Sequence, residues 1–274
     1  MERLPNLEQL RTPCMTAIAS AGRILIETNE GWNESSELIQ QSDPKFCLQA
    51  LEIGSKTLLV DEDTAAGNFM IRDSKMTKLV SSDKEPIRPL IQFVRSLHTE
   101  NDVSTVMVVG GLGDYFDVAD VVLLMENYQC QDATARAKEI VVSSPAISTP
   151  SLRIGEIRHR FPEPASFNPG GKVKTVRKGL ISYSETEVDL SLVEQIASLC
   201  QTTSIQLWLQ KISSMSLGHT TLTETLLAIS KVIDEQGLDA LAPGQYHGGH
   251  SRPRLLEVGA ACNRLRRSGA MKQK

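Results

Sequence analysis

No apolar run in this chain approaches the roughly 20 residues needed to span a bilayer, so transport by this chain alone is not expected. The N-terminus, MERLPNLEQLRTPC, has Glu2 and Glu8 early and no apolar core, and it does not read as a secretory signal. No CxxC spacing occurs. The five cysteines, Cys14, Cys47, Cys130, Cys200 and Cys262, are scattered and odd in number. A reduced, cytoplasmic setting is the simpler reading, with an organelle as the other. His247 and His250 share a Gly-rich loop with no cysteine or carboxylate beside them, so a plain loop is favoured over a metal site.

What is present is an ordinary globular composition, 41% hydrophobic and 23% charged. The 274 residues suit one large or two modest domains. Charge divides unevenly. Residues 1–150 hold 13 Lys+Arg against 22 Asp+Glu, and residues 151–274 hold 16 against 11. The net values are −9 and +5, which supports two regions with different partners. The basic half could attract RNA or another nucleic acid, or be a solvated helical domain.

The stretch that organises the chain is TLLVDEDTAAGNFMIRD, Thr57–Asp73. Thr57–Val60 is a short strand-forming run that leads into Asp61, Glu62 and Asp63. Taken alone, it is either an ordinary strand entering an acidic turn or a strand that presents Asp-Glu to Mg²⁺ and water. Thr105–Val109 is a second apolar strand, closed by Gly110-Gly111, and Val121–Met125 is a third. Between the first two, Ile87, Leu90, Ile91, Val94 and Leu97 fall at helical spacing. Strand, helix, strand is a crossover unit. The three strands are expected side by side in one largely parallel sheet.

DEDTAAGNFMIRD followed by VMVVGGLGDYFDVAD resembles the predicted ATPases of the ABC class, from about Cys47 to the C-terminus. The resemblance implies an α/β fold. It would be a partial ABC-type P-loop NTPase sheet over 47–145, then a mostly helical domain over 146–274. It implies ATP and Mg²⁺ as cofactors. Asp61 corresponds to the Mg²⁺-side Walker B aspartate and Glu62 to the catalytic glutamate. Thr64–Asn68 corresponds to the D-loop, which crosses to a second copy in a homodimer. Gly110, Gly111, Gly113 and Asp114 fall where the loop after the next strand meets nucleotide. Ala65 and Gly67 depart from the family's TSATN, and Leu112 stands where the family prefers a small polar residue.

Residues 1–46 carry no such resemblance and form an unassigned head. Leu7, Leu10, Met15, Ile18 and Ile24 give Asn6–Ile26 some helical spacing, and Asn29–Asp43 reads as loop. Neither the family's signature segment nor GxxxxGK[ST] occurs anywhere in the chain. The nearest candidate, Gly170-Gly171-Lys172-Val173, reads as a basic turn. The chain therefore reads as a truncated ABC-class ATPase joined to an unrelated head, impaired or inactive in hydrolysis. The alternative is a non-catalytic nucleic-acid-binding or scaffold protein.

In the C-terminal half, Ser143–Pro150 reads as a linker, and Lys172–Tyr183 as a basic hairpin or edge strand. Asp189 is expected to cap a helix running to Ser213. Thr221–Glu224 has capping-box spacing, and Pro253 suits the first turn of a last helix through Arg266.

Overall fold

A computed structural model describes residues 15–20, 36–39, 44–72, 74–80, 88–144, 151–154, 157–193, 195–244, 248–265 and 271–273. The chain forms two compact units. One comprises residues 1–48 and 55–156, and the other 49–54 together with 157–274.

In order, the first unit runs β1 (Met15–Ser20), β2 (Ser36–Ile39), the start of α1 (Pro44–Glu52, of which residues 49–52 belong to the second unit) and β3 (Thr57–Asp61). It continues with α2 (Gly67–Met70), α3 (Ser74–Leu79), α4 (Val94–Asn101) and β4 (Ser104–Val109). β5 (Val121–Glu126), β6 (Gln129–Asp132) and α5 (Thr134–Ser143) complete it. Among the described residues the sheet has the order β2-β3-β4-β1-β5-β6. All pairings are parallel except the β5–β6 hairpin. Leu58, Leu59 and Val60 are buried in succession, as in a strand covered on both faces. Gly54 takes φ +100° beyond α1, a conformation that L side chains rarely adopt.

Two expectations change here. β3 and β4 are neighbours, but β5 does not pair with β4, because β1 lies between them. A strand therefore occupies part of the segment whose spacing suggested a helix, and β2 lies in the segment read as loop. MTAIAS is paired on both edges, and a central parallel strand has no polar face to impose a period of two. The surrounding Leu7, Leu10 and Ile24 supply a spacing that fits the helix template. The rest of Asn6–Ile26 and of Asn29–Asp43, apart from Ser20, β2 and the strand residues, lies outside the described residues. So do Asp73, Ile87, most of the Ser143–Pro150 linker, His247 and Arg266–Arg267.

The second unit contains β7 (Arg160–Pro162), α6 (Pro164–Phe167), β8 (Val173–Arg177), β9 (Leu180–Tyr183) and β10 (Thr186–Asp189). The helices α7 (Leu199–Met215), α8 (Leu222–Gln236) and α9 (Leu255–Arg264) follow, then β11 (Met271–Gln273). β8, β9 and β10 make an antiparallel sheet with β8 on an edge. Ile181, Tyr183 and Val188 from this sheet join Ile205, Trp208, Leu226 and Cys262 from the helices in one core. Burial pushes the Cys262 thiol up to about 12.

The capping box at Thr221–Glu224 forms as its spacing suggests. Asp189 does not start a helix. Its carboxylate accepts the Ser191 N–H at 2.8 Å in a turn, and α7 begins only after Ser198, which makes its own capping box with Gln201. At Gly259 on α9, a Cβ would stand 2.7 Å from Cγ1 of Ile53, so glycine admits that side chain. Glu52 is buried beside it. Its carboxylate accepts Arg160 N–H and Nε–H, each at 2.7 Å, and Arg160 Nη2 also donates to Asn263 Oδ1 at 2.7 Å.

Candidate functional site

The site begins where β3 and β4 end side by side, with Asp61 in register with Val108. Both strands run in the same direction, so both release their loops at one edge of the sheet. That edge is where ligands bind open parallel sheets. The chain leaves β3 through a tight turn, Glu62–Thr64, and enters α2. Asp61 Oδ1 accepts the Asp63 N–H at 3.2 Å, and Thr64 Oγ1 donates to the Asp61 carbonyl at 3.2 Å. Asp61 is half-buried, and Asp63, Thr64, Gly67 and Asn68 are exposed.

Glu62 reaches across to the loop after β4. Its Oε2 accepts the N–H groups of Gly110 at 2.7 Å, Gly111 at 3.0 Å and Leu112 at 3.3 Å. Successive backbone N–H groups of this kind form an anion-binding nest. Gly111 matters sterically, because a Cβ there would stand 3.2 Å from Glu62 Oε1, inside ordinary contact. Hydrogen bonds to a charged group contribute about 1.5–3 kcal/mol each. Glu62 is half-buried, so solvent competes and the three together hold it by less than their sum.

Beneath the loop, Tyr115 is fully buried and donates its hydroxyl to the Met70 carbonyl at 2.6 Å. Burial drives its phenol well above the usual range, so it remains a donor. Phe69 and Met70 are buried, which makes α2 an anchored element. Arg72 holds the next turn by donating to the Val80 carbonyl at 2.6 Å. Asp120, at the mouth of β5, pairs with Arg95 on α4 at 2.8 Å. Loss of hydration, then the charge of Asp114, pushes the Asp117 carboxyl up.

Of the residues singled out in the sequence, Glu62, Gly110 and Gly111 are in direct contact, and Asp61 adjoins them in the chain. Gly113 and Asp114 follow in the same loop and open a short 3-10 turn. Asn68 is exposed at the start of α2, and among the described residues it has no hydrogen bond to this cluster. Leu112 stands out in the sequence only as a departure in side chain, yet its backbone N–H is the third donor. No side-chain pattern reports that role. Sequence reasoning also misses central β1 as part of the frame, and Thr16 and Ile18, both β-branched, are the available signal.

The residues can be tested for fit to Mg²⁺. Among the described residues, Asp61 and Glu62 make no ion pair, and no group of three His, Cys, Asp or Glu could cage a metal. Mg²⁺ commonly binds one or two carboxylates and completes its shell with water and substrate phosphates. The Asp61 carboxylate, with one oxygen unengaged among the described residues, fits that mode.

Two family models match the chain. The P-loop domain of the ABC ATPases matches residues 41–160, and the MRB1590 C-terminal domain matches residues 172–270. A search of curated proteins finds no match. Among the described residues no helix is long and apolar enough to cross a membrane. The carboxylates at the end of β3 and the nest after β4 lie within the first matched segment, and residues 41–160 of this chain are a P-loop domain of the ABC ATPase family, followed by an MRB1590 C-terminal domain.

Proposed function

We propose that the first unit is an ATP- and Mg²⁺-directed hydrolase domain whose turnover is impaired in this chain alone. One observation carries the reading. Asp61 and Glu62 stand at the end of β3, and the Gly110–Asp114 loop stands at the end of its parallel neighbour β4. In this reading Asp61 would hold Mg²⁺ and Glu62 would orient the attacking water. Gly110, Gly111, Gly113 and Asp114 line the phosphate end. Bound Mg²⁺ would neutralise charge developing on the phosphates. Thr64–Asn68, exposed at Thr64, Gly67 and Asn68, would meet a second copy in a homodimer.

Impairment follows from what fixes the phosphates. Phosphoryl transfer depends on positioning and charge stabilisation, which a Gly-rich loop and its lysine supply in P-loop enzymes. The segment after central β1, residues 21–35, contains Gly22 and Gly31 but no lysine. The test is Mg²⁺-dependent phosphate release by the purified chain, expected at background. Adding the family's upstream region should restore turnover, and Glu62→Gln should then abolish it. Hydrolysis by the chain as given, stopped by Glu62→Gln, would mean that residues 1–46 already contain a phosphate-binding element.

A second reading rests on edge strand β8. Lys172, Lys174, Arg177 and Lys178 are all exposed on or beside it, which suits RNA or another nucleic acid. Such binding would weaken steeply with salt and ignore ATP. Affinity that is flat in salt would remove this reading.

A further inference from the structure

We infer that the Gly110–Leu112 nest is an anion subsite for a phosphate oxygen, and that Glu62 is its built-in occupant until phosphate displaces it. The inference rests on the hydrolase reading, because that reading supplies the phosphate. Its own basis is the pattern of donors. Three N–H groups converge on Oε2 alone, while Oε1 accepts none among the described residues. A carboxylate oxygen offers about two acceptor directions, both in the plane of the group. Three donors therefore exceed what it satisfies well, and the Leu112 bond is the longest. A terminal phosphate oxygen carries more charge and accepts around its whole axis. It suits the same three donors better.

Glycine at 111 keeps the space beside the nest open, since a Cβ there would stand 3.2 Å from Oε1 of the carboxylate seated in it. The nest also lies at the strand ends, where phosphates bind in open parallel sheets. While Glu62 is seated, the nest holds Oε2, and only Oε1, fixed in place by that contact, is left to take a proton from water. Phosphate in the nest would release the carboxylate for that task. Substrate arrival and activation of the base would thus be one exchange of anions. Asp61, Asp63 and Asp114 lie nearby, so the exchange should favour phosphate accompanied by Mg²⁺.

The experiment uses the full chain, inorganic phosphate as probe, fixed Mg²⁺ and chloride-matched ionic strength. Amide shifts of Gly110, Gly111 and Leu112 are followed in the unmodified chain, Glu62→Gln and Glu62→Ala. Saturable shifts at these amides should appear at least tenfold lower in phosphate for Glu62→Ala than for the unmodified chain. Glu62→Gln should fall between them, because its neutral amide is easier to displace. Glu62→Gln decides the matter if the alanine variant does not fold. Equal responses in all chains, or none at these amides in any variant, would overturn the inference. Mg-ATP binding is measured separately. Binding of Mg-ATP with silent nest amides sinks this inference alone. Phosphate capture by the variants without Mg-ATP binding upholds the subsite and sinks the hydrolase reading.

Discussion

Replacing Arg160 by Met should destabilise the second unit by about 3 kcal/mol, the lower end of the 3–5 kcal/mol expected when a buried ion pair loses one partner. The Glu52 side chain is 2% exposed and that of Arg160 is 14% exposed, so water cannot take over the lost bonds. Met keeps the apolar stem but removes Nε–H and Nη2, which engage Glu52 Oε2 and Asn263. The Arg160 backbone N–H still serves Oε1 at 2.7 Å, which is why the lower end applies. Urea unfolding followed by Trp208 fluorescence in a Trp32→Phe background reports on this unit, since Trp208 lies in its core. Glu52→Gln in the Arg160→Met background should recover much of the loss by removing the orphaned charge. Arg252→Ala is the control. That arginine pairs with Asp234 at side-chain exposures of 46% and 56%, and such surface pairs contribute about 0–1 kcal/mol. A loss below about 1 kcal/mol for Arg160→Met would refute the reasoning, because it would mean that Glu52 finds water or another donor.

Glu257 is buried and its carboxyl is raised, mainly by burial, with Arg254 opposing. A raised acid favours the fold below its unfolded value and weakens it as pH rises. Stability of the second unit should therefore fall as pH climbs above about 4.5, and Glu257→Gln should flatten that slope in urea titrations across pH. Asn127 and Tyr128 turn the β5–β6 hairpin at φ 50° and 60°, where glycine is preferred, and Tyr128 is fully exposed. Tyr128→Gly should stabilise the first unit by up to about 1 kcal/mol, seen as a higher Tm; a lower Tm would mean that the ring packs on something. Thr221→Ala removes the side-chain acceptor for Glu224 N–H at the start of α8. It should cost about 1 kcal/mol, and an unchanged unfolding midpoint would contradict the capping account.

The sheet-forming strands β3, β4 and β5 are legible in the sequence because each is a continuous apolar run bounded by acidic or glycine residues. Their neighbour relations are not. Insertion of β1 between β4 and β5 is a long-range event, and MTAIAS carries no local mark of it. Thr221–Glu224 is readable because a capping box is complete within four residues. Asp189 misleads because a side chain that can cap a helix can equally hold a turn, here around Ser191. At the site, Asp61, Glu62 and the glycines can be named from their order. That Glu62 bonds backbone N–H groups 48 to 50 residues away cannot, since the donors are independent of side-chain identity.

The second unit takes in residues 49–54, far upstream of the rest of it. A fragment cut anywhere between the units, for instance one starting at Ile157, would leave that segment behind. It would present Arg160 without Glu52 and a notch at Gly259 without Ile53. During synthesis the same six residues emerge early and must wait for more than a hundred others before their partners exist. The C-terminal unit should thus be recovered in native form only when residues 49–54 are present, either in the full chain or added as a separate peptide. Completion of its core would then be a late step in folding, limited by long-range closure and slower than formation of its helices.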